Sequence, residues 1–120
     1  MTCTFEKLPF ERLDVYRVAK EALSLSLDER QRWKGLPGEL SSQLERALVS
    51  CVLNIAEGAG RATRADQKRH YVIARGSAYE AAAALSIVSL YCLEEQATCE
   101  TVRSRLVRVI QMLNKMCAKV

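Results

Sequence analysis

From Tyr71 to Cys92 the apolar residues Tyr71, Ala74, Ala78, Ala81, Leu85, Val88 and Cys92 recur in alternating steps of three and four. That spacing follows the 3.6-residue turn of an α-helix and lays these side chains along one line of its surface. A half-buried strand alternates with period two, and no stretch of the chain sustains that. A second series, Cys99, Val102, Leu106, Val109, Leu113, Met116 and Val120, repeats the pattern toward the C-terminus. Leu40, Leu44, Ala47, Leu48, Cys51 and Ile55 mark a third helix. Leu13, Tyr16, Ala19 and Leu23 mark a fourth, with Leu27 on the same line.

The residues that interrupt helices fall between these series. Lys34-Gly35-Leu36-Pro37-Gly38 separates the first two, and Gly58-Ala59-Gly60 separates the second from the third, with Gly58 expected just past a helix end. Thr63, with Asp66 three residues on, has the form of a helix N-cap, and Thr98 is expected to cap the last helix. The reading is four helices at about 12–31, 39–57, 64–93 and 98–119. Short connections make consecutive helices antiparallel, so the expected fold is an all-α, up-down-up-down four-helix bundle forming a single domain over residues 1–120. At 13.5 kDa such a chain can bury about two-thirds of its unfolded surface, enough for one core.

Several function classes find little support. The longest uncharged run, Ala81 to Leu93, falls short of the roughly 20 residues that span a bilayer. The first 14 residues carry charges from Glu6 onward and no apolar stretch, so a cytoplasmic protein with no membrane association is expected. The five cysteines, Cys3, Cys51, Cys92, Cys99 and Cys117, include no C-x-x-C pair and read as reduced thiols, three of them on apolar helix positions. His70 is the sole histidine, which argues against a metal site, and no cofactor motif is present. Asn54, Glu57, Arg75 and Glu80 read as a structural polar network between the second and third helices rather than as an acid–base site. No enzymatic activity is expected.

Charge carries more information. Residues 61–75 hold five basic groups, Arg61, Arg64, Lys68, Arg69 and Arg75, against Asp66 alone. Residues 76–99 hold Glu80, Glu94 and Glu95 and no basic group, whereas residues 100–120 are again basic. If the third and fourth helices run antiparallel, Arg61, Arg64, Lys68 and Arg69 share one end of the bundle with Lys115 and Lys119. Such a cluster suits phosphate-backbone contacts, to RNA or DNA, which need positive charge but no base-reading residues. The second and fourth helices also carry more apolar residues than one seam uses, Val49, Val52, Leu53 and Ala56 on one and Val107, Ile110 and Met112 on the other. That excess points to a homo-oligomer with Val107 and Ile110 at an interface.

Asn54-Ile-Ala-Glu-Gly58 with Gly60-Arg61, and Ala74-Arg-Gly-Ser-Ala-Tyr-Glu80, resemble the four-helix-bundle family first recognised within intervening sequences of bacterial large-subunit ribosomal RNA genes. Leu13-Asp-Val-Tyr16, Gln43-Leu-Glu-Arg-Ala47 and Met112-Leu-Asn114 extend the resemblance over most of the chain. It implies four antiparallel helices, a cyclic pentamer and no known catalysis. Through its relatives, the accessory variability proteins of diversity-generating retroelements, it implies a basic surface that contacts nucleic acid and a reverse transcriptase or other ribonucleoprotein partner. Two positions depart from the family pattern. Glu45 stands where a basic residue is usual, and Val52 replaces a proline, which leaves the helix its N–H there. Two readings follow: an oligomeric, weak and sequence-nonspecific nucleic-acid-binding accessory protein, or a protein–protein interaction scaffold with no nucleic-acid role.

Overall fold

The computed structural model describes residues 7–118. Four α-helices dominate it: α1 (Asp14–Glu29), α2 (Gly38–Ala59), α3 (Arg64–Tyr91) and α4 (Gln96–Ala118), with short 3₁₀ segments at Pro9–Arg12, Arg30–Arg32 and Leu93–Glu95. Each helix packs on the next in sequence, and α4 closes back on α1. The result is the antiparallel up-down-up-down bundle that short connections dictate. None of the helices is long and apolar enough to cross a membrane.

The periodic residues form the core. Ala74, Ala78 and Ala81 are fully buried on α3, facing a core that includes Leu48 and Ile55 of α2 and Leu106 and Leu113 of α4. Small side chains on α3 let the neighbouring backbones approach, and the larger ones fill the space, each contributing about 1.5–3 kcal/mol by leaving water. The end remote from the start of α3 is pinned by polar contacts. Trp33, in the α1–α2 connection, is buried, and its Nε1–H donates to Thr98 Oγ1 at 2.9 Å. Thr98 in turn donates to the Glu95 carbonyl at 2.8 Å, and the Cys92 thiol donates to the Lys34 carbonyl at 3.2 Å.

The helix limits differ from the sequence reading in instructive places. α1 stops at Glu29 because the chain tightens into a 3₁₀ turn that the Trp33 N–H closes onto the Arg30 carbonyl. α4 begins at Gln96, so Thr98 lies inside its first turn and serves Trp33 instead of capping the helix. Gly58 is not beyond the end of α2. It lies buried in the last turn, and a Cβ there would sit 2.8 Å from Tyr71 Cε1 and 3.1 Å from His70 Cβ. Close approach of α2 and α3, not a left-handed backbone, explains this glycine. Thr63 caps α3 as expected, its hydroxyl accepting from the Asp66 N–H at 3.1 Å.

Apolar surface is distributed unevenly outside the core. Val52 is buried, and Ile110 and Met112 pack against the core as a wide stripe. Val107 is half-buried. The larger exposed set lies on the outer side of α3, at Val72, Ile73, Tyr79, Ile87, Leu90 and Tyr91, beside Val49 and Leu53 of α2. The outer sides of α1 and α4 instead carry charge, including Arg17, Lys20, Glu21 and Arg108.

Candidate nucleic-acid interface

The start of α3 is a projecting helix end. Arg75 donates to Asn114 Oδ1 at 3.1 Å, which sets the antiparallel register of α3 against α4. Counting from that pair, Ala118 of α4 stands level with Tyr71, and Arg64 lies about 10 Å further along the axis. Gly58 against His70 and Tyr71 likewise places the first turn of α3 beyond the end of α2. Side chains on that turn therefore have no bundle neighbour on most sides. Arg64, Asp66, Lys68 and Arg69 are exposed.

The four basic residues here are not equivalent. Arg61 is held by Glu57 at 2.6 Å, and its carbonyl accepts from Gln67 Nε2 at 3.1 Å. Arg69 stands 4.0 Å from Asp66, both well exposed, a pair worth little in water. Arg64 and Lys68 make no ion pair among the described residues. They are the cations most available to an external anion. The N-terminal dipole of α3 and the N–H groups of Arg64 and Ala65 add a partial positive charge at the same place, whereas the Asp66 and Gln67 N–H groups are taken by Thr63.

Lys115 does not join this cluster. It lines an apolar groove with Leu13, Val15, Met112 and Met116, on the α1 flank of α4, because a step from Asn114 turns the side chain away from α3. Lys119 lies outside the described residues. The basic end is thus built by the α2–α3 connection and the first turns of α3.

Beneath it, α2 and α3 are joined by polar contacts that sequence reasoning captured only in half. Asn54 Nδ2 donates to the Ser50 carbonyl at 2.9 Å, which turns Oδ1 toward His70 Nδ1 at 3.1 Å. Glu57 Oε2 is 3.7 Å from the same nitrogen, and Ser50 and Ser77 share a hydroxyl contact at 2.9 Å. Asn54 and Glu57 belong to this junction. Arg75 instead bonds Asn114 of α4, and Glu80 is exposed with no ion pair among the described residues. His70, Ser50 and Ser77 were missed. The available signal was that Ser50 and Asn54 are four apart and so share a helix face, one that Ser77 and His70, seven apart, can meet.

No three His, Cys, Asp or Glu side chains cluster as a metal site among the described residues. The Cys51 thiol is pushed up to about 12 by burial, and Cys99 to about 11 by burial and then by neighbouring Cys92, so both are protonated near neutral pH. Burial raises Tyr71 as well, with nearby Arg64 opposing the shift.

Fold and charge together define a class: a small antiparallel four-helix bundle whose third helix projects a basic end, with the motifs at Asn54–Gly58 and Ala74–Glu80 forming its α2–α3 junction and the middle of α3. The chain matches the family model described as 23S rRNA-intervening sequence protein over residues 11–115, and it belongs to that family. No curated protein matches it.

Proposed function

We propose that the protein is a non-enzymatic, self-associating helical bundle that binds nucleic acid weakly and without sequence preference through the basic end of α3. The observation that carries this reading is the pair Arg64 and Lys68, exposed on a projecting helix start and unpaired among the described residues. Phosphate contacts of this kind require clustered charge on an accessible surface and little else. With Lys115 pointing elsewhere and Arg61 engaged by Glu57, one copy offers few phosphate contacts. Affinity then depends on bringing several copies of the end together. The exposed apolar side of α3 supports self-association, and the family resemblance supports a ring of five.

Fluorescence anisotropy with unrelated RNA and DNA oligonucleotides, over a series of salt concentrations, tests the proposal. Binding at low salt that weakens steeply and similarly for every sequence supports it. The same apolar side equally favours a scaffold that holds other proteins, which predicts no binding at low salt and no salt slope.

A further inference from the structure

The basic surface does not end at the first turn of α3. Arg64, Lys68, Arg75 and Tyr79 follow one another in steps of four, seven and four residues. At about 100° of turn per residue, all four fall within about 60° of one another around the helix, on a single line about 22 Å long. Val72, 41% exposed, lies on it between Lys68 and Arg75. The contact of Arg75 with Asn114 at 3.1 Å places the line on the flank that α3 shares with α4. Asn114 is neutral and Arg75 makes no ion pair among the described residues, so the charge of Arg75 is uncompensated. Opposing charge is scarce along this flank. α3 carries no acidic residue from Gln67 to Tyr79, and α4 carries none from Thr101 to Ala118. Asp66 and Glu80 lie about 100° or more around α3 from the line, on the side toward α2.

At the far end of the line stands Tyr79, 56% exposed, its ring paired with no other aromatic ring among the described residues. Ile73 and Tyr91 lie about 120° away around the helix. Tyr79 is thus set apart from the apolar edge that α3 presents beside Val49 and Leu53. We infer that the line is a track for single-stranded nucleic acid, its cations on successive phosphates and one unpaired base stacked on the Tyr79 ring. Lysine and arginine take the phosphates of a duplex or a single strand alike. The open aromatic face discriminates, because it stacks any base that is free, and in a duplex the bases are already paired and stacked on each other. Stacking is also tolerant of sequence, as the nonspecific binding proposed above requires. The ring is neutral and displaces no counterions, so it adds affinity without adding salt dependence. This inference rests on the phosphate-binding reading of the basic end and adds the form of nucleic acid that the surface takes.

The test is fluorescence anisotropy of the full chain with an oligothymidine strand and with a blunt DNA duplex of equal phosphate count, over a series of salt concentrations. Circular dichroism and light scattering check that each variant keeps the wild-type fold and particle mass. Wild type should bind the single strand more tightly than the duplex. Tyr79→Ala should weaken single-strand binding about fivefold or more, with an unchanged salt slope and little effect on the duplex. Tyr79→Phe, which keeps the ring, should bind as wild type does, and Arg75→Gln should flatten the slope. Equal binding of strand and duplex by wild type, or Tyr79→Ala binding the strand as tightly as wild type, overturns the stacking and leaves the phosphate reading in place. A Tyr79→Ala protein of reduced particle mass puts the ring in a subunit contact and overturns the stacking as well. Wild type that binds neither probe at low salt overturns both readings.

Discussion

Replacing Gly58 with alanine sets two opposing effects against each other at one position. In a helix interior, alanine is favoured over glycine by about 1 kcal/mol, because glycine loses more backbone freedom on folding. Here the added Cβ would lie 2.8 and 3.0 Å from two atoms of the Tyr71 ring and 3.1 Å from His70 Cβ. Tyr71 is 9% exposed and His70 6%, so neither has free space to retreat into, and His70 Cβ moves only with the α3 backbone. Overpacking of this sort costs about 1–3 kcal/mol. The steric term wins, and Gly58→Ala should destabilise by about 1 kcal/mol net, lowering the melting temperature by on the order of 5 °C. Gly60→Ala is the control. Its Cβ would meet no atom closer than 3.6 Å, its φ of −90° suits any residue, and its effect should stay within about 0.5 kcal/mol. Thermal denaturation by circular dichroism, at equal protein concentrations because association shifts the midpoint, separates the cases. A Gly58→Ala protein that melts above wild type would refute the close approach of α2 to α3 at this turn.

Ala78→Leu, at a fully buried position on α3, should cost about 1–3 kcal/mol in urea denaturation through overpacking. Asn54→Ala leaves the buried His70 Nδ1 without its acceptor and should lower stability by about 1–3 kcal/mol, read from the same denaturation curves. For the thiols, burial raises the folded value of Cys51 to about 12 from an ordinary 9.0, so the folded state holds this proton more tightly than the unfolded state. The resulting stability is complete below pH 9.0 and is lost as pH rises toward the folded value. Denaturation midpoints should fall with pH above 9.0 in wild type and fall less in Cys51→Ala, measured against each protein's own neutral-pH value.

The fold was legible because its information is periodic. Steps of three and four at Tyr71–Cys92 and Cys99–Met116 name core positions, and the structure buries nearly all of them. Features that depend on which residues meet across helices were harder to read. Gly58 looks like a helix end because glycine usually is one, and only the position of the Tyr71 ring reveals a packing requirement. Trp33 lies outside every periodic series, so nothing local announces that it reaches Thr98. At the candidate site, Arg64, Lys68 and Arg69 are near neighbours in sequence and stay together in space. Helix direction alone groups Lys115 with them, but its azimuth around α4 sends it to the other flank. The apolar side of α3 is hard to see in the sequence because Val72, Ile73, Ile87 and Leu90 sit among the alanines and serines of a helix whose strongest period belongs to its core seam.

The central claim is that the projecting basic start of α3 contacts phosphate. It is tested most directly by the salt dependence of oligonucleotide binding for wild type and for Arg64→Ala combined with Lys68→Ala. Neither residue makes an ion pair within the subunit among the described residues, so folding should be unaffected. Each lost phosphate contact flattens the slope of log K against log salt by about 0.7 on a single strand. The double variant should therefore bind more weakly to every sequence, with a slope shallower by about 1.4 per copy engaged. Equal affinity and an unchanged slope in the double variant would contradict the claim.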